Sequence, residues 1–192
     1  MSKKKYRRKS QKSSPILPVA AGLLLIGFAL VFMTSPRSDD TAKSLSSVEP
    51  VAVSFAAPEL SLENMNGQTE SLADYRDLVV LVNNWATWCP PCKAEMPTLS
   101  AYYNENKSKG FTIIAIEAGD SREAVSPFVQ SYQLEFPVWL DPNRSALRAF
   151  GNGTLPNSYV IDRSGTVRYA WTGEISKAML EKYVSPLLAE DS

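Results

Sequence analysis

The chain has 192 residues, of which 20 are basic, 20 are acidic and none is histidine. Without histidine, imidazole catalysis and histidine-containing metal sites are excluded, and the two cysteines cannot complete a four-cysteine zinc site. The first 37 residues hold eight basic and no acidic side chains, so the rest of the chain has a net charge of −8. A body this acidic disfavours nucleic acid as a partner, and the length predicts one ordinary domain with an appendage.

A basic segment and an apolar run open the chain. Residues 1–14 carry seven Lys or Arg side chains, and the apolar run that follows has its core from Ile16 to Met33. About 20 residues span a bilayer, so residues 15–36 predict a transmembrane signal-anchor helix. The basic flank predicts a cytoplasmic N-terminus and an extracytoplasmic body. A cleaved signal peptide is the alternative, although Met33-Thr34-Ser35-Pro36 is a poor cleavage site.

The next segment has the composition of a tether. Residues 37–57 are rich in Ser, Thr, Ala, Asp and Pro without periodicity, which predicts a flexible linker with no structure. We expect the folded domain to cover residues 58–192. It begins with a short strand at Glu59–Glu63 and a tight turn at Asn66-Gly67, which together indicate a small hairpin. Residues 71–76 predict a single helical turn.

Both cysteines lie in one motif, Trp88-Cys89-Pro90-Pro91-Cys92. It follows a strand-like run from Leu78 to Trp85 and opens a helix predicted from Cys92 to about Lys107. Cys89 therefore falls at a helix N-terminus, where a thiolate is stabilised. We predict that Cys89 is the exposed nucleophile and that Cys92, which is less exposed, resolves the mixed disulfide. The two prolines lack an N–H, so the first backbone donor that can reach the Cys89 sulfur is the amide of Cys92.

A Cys-x-x-Cys motif can also have functions other than disulfide exchange. A purely structural disulfide across two residues closes too short a loop to stabilise much. Attachment of a c-type haem requires histidine after the second cysteine, where Lys93 stands. Half of an intermolecular metal site remains an alternative.

The remaining pattern alternates strands and helices. The order of elements predicts a mixed α/β domain, with a βαβ unit followed by an antiparallel hairpin and a closing helix. The predicted elements are a strand at 111–116, a helix at 121–134, a strand at 138–140, a short helix at 145–150, paired strands at 158–161 and 166–171, and a helix at 174–189.

One segment carries a family resemblance. The run from Val82 to Pro97 resembles the active-site segment of thioredoxin-like proteins of the TlpA/ResA type, and the match continues through Phe136-Pro137-Val138 and Leu155-Pro156. It covers roughly residues 58–189. The resemblance implies a thioredoxin-like fold, with a mixed sheet flanked by helices and an N-terminal β-hairpin extension. It also implies a membrane-anchored, extracytoplasmic domain whose only redox group is the Cys89–Cys92 disulfide, without a bound cofactor.

The same resemblance implies roles for residues around the dithiol. Pro156 is expected to be a cis-proline beside the cysteines, and Leu155 to offer its backbone to an extended substrate segment. Trp88, Pro90 and Pro91 are expected to support the site or to contact substrate.

Acidic residues near the motif allow two interpretations. Glu95 matches a family glutamate that tunes thiol acidity or moves a proton, but it also fits a solvated helix residue. Asp120 resembles a second family acid, although Asp120 with Glu123 also fits a helix capping box.

Two positions depart from the patterns expected of relatives. Asn83 stands where thioredoxins proper carry a buried acid, so that route for deprotonating the resolving thiol is missing. Asn157-Ser158 replaces a threonine-rich pair after the proline.

These observations predict an anchored thiol-disulfide oxidoreductase that reduces protein disulfides and draws electrons from a membrane thiol-disulfide donor. Apocytochrome c is the substrate that the resemblance suggests. A peroxiredoxin-type peroxidase is one alternative, although the position three residues before the nucleophile is Ala86 rather than the usual threonine. A disulfide-forming oxidase and a non-enzymatic anchored interaction domain are the others.

Overall fold

A mixed sheet of eight strands forms the centre of the computed structural model, which describes residues 48–190. The strands are β1 (Val51–Ala56), β2 (Ser61–Asn64), β3 (Thr69–Ser71), β4 (Val79–Trp85), β5 (Phe111–Glu117), β6 (Val138–Leu140), β7 (Asn157–Ile161) and β8 (Thr166–Thr172). Their order across the sheet is β1-β8-β7-β4-β5-β6-β2-β3. The β4–β5 and β5–β6 pairs are parallel, and the other pairs of this sheet are antiparallel, so the predicted mixed α/β class is confirmed.

Helices cover both faces of the sheet. They are α1 (Pro90–Asn106), α2 (Arg122–Ser131), α3 (Ser145–Ala149), α4 (Lys177–Tyr183) and α5 (Ser185–Ala189), with 3₁₀ turns at Leu72–Tyr75 and Lys107–Lys109. The predicted hairpin is present as β2 and β3, and Ser71 caps the predicted helical turn.

The central strand β4 positions the cysteine motif. All seven of its residues are buried, as the apolar run predicts for an inner strand. Val79 and Leu81 pack in one core, and Val80 and Val82 pack in a second core on the opposite face. The motif leaves the carboxyl end of this strand, where sites form in open α/β sheets.

Two helix boundaries differ from the prediction for reasons that involve proline. Helix α1 begins at Pro90 rather than Cys92 because proline fits the first turn of a helix, where its missing N–H is not needed. The single closing helix predicted at 174–189 is wrong, since two helices are separated at Val184. Pro186 cannot donate to the carbonyl four residues earlier, and its ring clashes with it.

The expectation that residues 37–57 lack structure is wrong for β1. This strand pairs antiparallel with β8, from Val51 opposite Ala170 to Ala56 opposite Thr166. Its partner lies more than a hundred residues away in the sequence, so local composition alone did not reveal it. The predicted anchor, residues 15–36, lies outside the described residues and stays a prediction. Between residues 48 and 190, no helix has the length and apolar character needed to cross a bilayer.

The β1–β8 ladder gives a stability prediction. A protein that starts at residue 57 should unfold more easily than one that starts at residue 48, because β8 then loses its outer partner. The free energy of unfolding should fall by roughly 2 kcal/mol, since each internal hydrogen bond contributes about 0.5–1.5 kcal/mol net. Urea unfolding of both oxidised proteins measures the difference. Equal midpoints would show that β1 adds nothing to the fold.

Candidate active site

A disulfide joins Cys89 to Cys92 at the point where β4 passes into α1, with the two Cα atoms 5.3 Å apart. Cys89 is the N-cap residue of α1, and its Sγ accepts the backbone N–H of Cys92 at 3.4 Å. The predicted donor is therefore confirmed. Pro90 and Pro91 occupy the two positions between them and provide no other backbone donor.

The prediction that Cys89 is exposed is wrong. Its exposed fraction is 4%, and that of Cys92 is 0%, so only the predicted order of exposure holds. Both sulfurs belong to the core cluster beneath the motif, because the turn from strand to helix folds them against it. The neighbouring Trp88 is 58% exposed. Pro90 and Pro91 are exposed as well, so the residues around the buried sulfurs face the solvent.

The Leu155-Pro156 peptide bond is cis, as the resemblance predicted. In the antiparallel register of β4 and β7, Asn84 lies opposite Asn157, which puts Pro156 at the sheet edge where β4 ends. The Pro156 carbonyl accepts the backbone N–H of Gly173 at 2.8 Å. The backbone of half-buried Leu155 forms no hydrogen bond with any residue between 48 and 190. It is free to pair with an added strand.

Glu95 is fully buried, so the interpretation of it as a solvated helix residue is wrong. Its carboxylate accepts the side-chain amide of Asn83 at 2.8 Å and the backbone N–H of Ile175 at 3.1 Å. Burial raises the pKa of Glu95 to about 7, although both hydrogen bonds oppose the shift and the charge of Glu174 adds to it. Glu95 therefore favours its protonated form more than an exposed carboxyl would.

Asn83 has a different role from the acid that thioredoxins proper carry at its position. Its amide donates to Glu95 and, at 2.9 Å, to the hydroxyl of Ser158 on β7. The buried carboxyl of this site is consequently supplied by α1 and held by β4. The site therefore does contain a buried carboxyl, at Glu95 rather than at the Asn83 position.

A second buried carboxyl, Glu117, escaped the sequence reasoning. It is the last residue of β5 and pairs in register with Trp85. One carboxylate oxygen accepts the backbone N–H of Asp120 at 2.7 Å, and the other has no partner among residues 48–190. Burial raises the pKa of Glu117 to about 7, with a contribution from the Asp120 carboxyl. A charged residue that ends an apolar strand beside the motif was the available signal.

Asp120 connects this carboxyl to the cysteine loop. Its side chain accepts a hydrogen bond from the hydroxyl of Thr87, two residues before Cys89. The capping-box interpretation is wrong, because Ser121 is the N-cap residue of α2 and its side chain makes no capping bond. Glu117, Asp120 and Thr87 thus form a polar chain that ends two residues before Cys89.

The geometry gives an order of reactivity. At pH 7, iodoacetamide should modify Cys89 of the reduced protein at least about tenfold faster than Cys92, because Cys89 is the N-cap residue and is the less buried thiol. Mass spectrometry of the cysteine peptides measures both rates. In urea, the two rates should become similar. Equal rates in the folded protein, or faster labelling of Cys92, would contradict the assignment of nucleophile and resolver.

The raised pKa of Glu95 predicts a pH dependence of stability. Between about pH 4.5, its ordinary value, and about pH 7, the folded protein holds a proton that the unfolded chain has released. Raising the pH through this window therefore favours unfolding. The free energy of unfolding of the wild type should fall over this window. Glu95→Gln should reduce that fall by on the order of 2–3 kcal/mol. Urea unfolding of the oxidised protein at several pH values measures it.

The matched control for that experiment is Glu105→Gln, which alters an exposed carboxyl on the same helix. It should keep the wild-type profile. Glu117 should preserve some of the pH dependence in the Glu95 variant. A Glu95→Gln profile identical to that of the wild type would refute the assignment.

Known proteins resemble this chain over most of the described domain. Residues 53–170 match the model of the AhpC/TSA family. The thiol-disulfide oxidoreductase ResA of Geobacillus kaustophilus is 31% identical over 92% of this chain and 98% of its own length. ResA of Bacillus subtilis is 36% identical over 71% of this chain and 76% of its own length.

A solved structure of a thioredoxin-family protein also resembles this chain. A thiol:disulfide interchange protein of the thioredoxin family from Chlorobium tepidum is 31% identical, with a TM-score of 0.65, over 72% of this chain and 99% of that one. The relatives in both comparisons are thus named for one activity, thiol-disulfide exchange. The chain belongs to the AhpC/TSA family and is, within it, a thioredoxin-like thiol-disulfide oxidoreductase of the TlpA/ResA type.

Proposed function

We propose that this thiol-disulfide oxidoreductase is an extracytoplasmic reductant of protein disulfides, held at the membrane by residues 15–36. The basic and then apolar N-terminal sequence supports the location. The observation that carries the direction of electron flow is the burial of Glu95 next to the dithiol, one helical turn beyond Cys92.

The burial of Glu95 indicates that the core around the dithiol disfavours the reduced form relative to the disulfide. The shift of the Glu95 pKa shows that negative charge is poorly solvated in this part of the core. A thiolate formed by Cys92, which is equally buried, meets the same penalty and the repulsion of the carboxylate. The Cys92 backbone N–H and the helix N-terminus, which contributes about 0.3–1 kcal/mol, favour a thiolate at Cys89 and do not offset the penalty at Cys92. The reduced form is therefore disfavoured, and a dithiol of this kind is a good electron donor.

The electron balance of the proposed reaction is simple. The Cys89 thiolate attacks one sulfur of the partner disulfide, which forms a mixed disulfide and releases the first partner thiolate. Cys92 then loses its proton and attacks the Cys89 sulfur, which releases the second partner thiolate. Two electrons pass to the partner, and the Cys89–Cys92 disulfide observed in the structure remains. Glu95, which lies one helical turn beyond Cys92 and whose pKa burial raises, is the group we assign to accept the Cys92 proton.

A membrane thiol-disulfide donor would return the two electrons by the reverse exchange. Neither half of this cycle calls for a metal or an organic cofactor. Among residues 48–190, no cluster of three or more acidic or cysteine side chains is arranged to hold a metal ion.

The docking surface supports a polypeptide partner in an extended conformation. Exposed Trp88 provides apolar contact, and the unpaired backbone of Leu155 can hydrogen-bond to an added strand. Apocytochrome c is a candidate of this kind, because its haem-attachment motif is a Cys-x-x-Cys pair within a polypeptide.

The reduction potential of the dithiol distinguishes a reductant of protein disulfides from a disulfide-forming oxidase. The dithiol should have a midpoint potential at or below about −270 mV, the value of thioredoxin, and Glu95→Gln should raise it by about 30 mV, or 1.4 kcal/mol. Equilibration with dithiothreitol buffers at pH 7 measures both, with Glu105→Gln as a control that should not shift. A potential near −120 mV, typical of a strong oxidant, would contradict the proposed direction. Rapid consumption of hydrogen peroxide by the reduced protein would instead favour the peroxidase.

A further inference from the structure

The loop before Leu155-Pro156 has no packing of its own to hold it. Its sequence is Gly151-Asn152-Gly153-Thr154, without an aliphatic or aromatic side chain, and three of the four residues are exposed. Gly151 adopts a φ of 71°, a conformation that favours glycine. The conformation of this loop must therefore depend on hydrogen bonds.

Asn157 supplies two of those bonds from the first position of β7, and the Asn152 side chain adds others by donating to the Thr172 hydroxyl and accepting the Thr154 N–H. The Asn157 side-chain amide donates to the carbonyl of Thr154 at 2.6 Å and to the carbonyl of Asn152 at 3.3 Å. The Asn157 side chain is fully buried, so its end of each bond is shielded from water, while the loop carbonyls are partly exposed. A single side chain thus holds the loop at two points, just before the Leu155-Pro156 segment.

Asn84 fixes Asn157 in turn. Its amide donates to the side-chain oxygen of Asn157 at 2.8 Å, across the register of β4 and β7. Asn84 is the next-to-last residue of β4, and the cysteine motif follows shortly after the strand ends at Trp85. The pair therefore connects the strand that carries the dithiol to the loop that carries the docking backbone.

The choice of amides has a chemical reason. An asparagine side chain carries both an acceptor and two N–H donors, so Asn157 can accept from Asn84 and donate to two carbonyls at once. A hydrophobic pair at this position would pack the sheet without holding the loop. The Asn84 oxygen is buried without a partner among residues 48–190, which is unfavourable for stability. Stability alone does not account for the pair.

We propose that Asn84 and Asn157 form an amide clamp that positions Leu155-Pro156 against the dithiol and so selects polypeptide disulfides over small ones. The clamp acts through the docking backbone and touches neither sulfur. It rests on the proposed function, since it concerns the reduction of polypeptide substrates.

Single-turnover reduction tests the clamp. Reduced wild-type protein, Asn84→Ala, Asn157→Ala and the double variant are mixed with insulin, a polypeptide disulfide, and with hydroxyethyl disulfide, a small one. Each single variant should reduce insulin about tenfold more slowly and hydroxyethyl disulfide within about twofold of wild type. The double variant should be no slower than the singles, because the two residues act as one unit. The midpoint potential should not change.

Asn106→Ala is the matched control. Asn106 is also a buried asparagine, and its amide bonds to the Tyr102 carbonyl within α1, away from the loop. This variant should keep the wild-type ratio of the two rates. If an alanine variant does not fold, Asn157→Thr, which retains a hydroxyl for one acceptor and one donor bond, should show the same selective loss to a smaller extent.

The results distinguish failure of the amide clamp from failure of the proposed function. Equal loss for both disulfides, no loss for either, or additive losses in the double variant would overturn the clamp and leave the proposed function standing. A wild-type protein that reduces hydroxyethyl disulfide but not insulin would overturn the proposed polypeptide reductase, and the clamp with it.

Discussion

The antiparallel pairing of β4 with β7 is the constraint on which the rest of the site depends. Because successive side chains of a strand point to opposite faces, Asn83 and Asn84 serve different halves of the site. Asn83 reaches α1 and holds the Glu95 carboxylate beside the dithiol. Asn84 reaches Asn157 and, through it, the loop before the cis-proline. A one-residue slip of this register would exchange the two faces and separate the chemistry from the docking surface.

Competing electrostatic effects decide what the dithiol does. A helix N-terminus favours a thiolate, and considered alone it would make the disulfide a good oxidant. The core around the motif opposes this, because it holds two carboxyls, Glu95 and Glu117, whose pKa values burial raises to about 7. Desolvation is the main cause of both shifts, and it penalises any negative charge buried there, including a thiolate. We therefore infer that desolvation dominates and that the dithiol is poised to give electrons.

Local patterns in the sequence predicted the elements that depend on local chemistry. The apolar run of β4, the helix that follows it and the Cys92 amide as donor are of this kind. The break at Val184 was also within reach, because Pro186 cannot continue a helix. The burial of Glu95 was not, since one of its partners, Ile175, lies 80 residues away. The low exposure of Cys89 likewise depends on packing that no motif reveals.

The most direct test of the central claim is to trap the mixed disulfide. Cys92→Ser protein is incubated with an oxidised synthetic peptide that contains Cys-x-x-Cys-His, and the product is mapped by mass spectrometry. Attack by Cys89 with no resolving thiol predicts a stable one-to-one adduct through Cys89, and little adduct with Cys89→Ser. An adduct of equal yield in both variants, or none in either, would contradict the assignment of Cys89 as the nucleophile toward polypeptide disulfides.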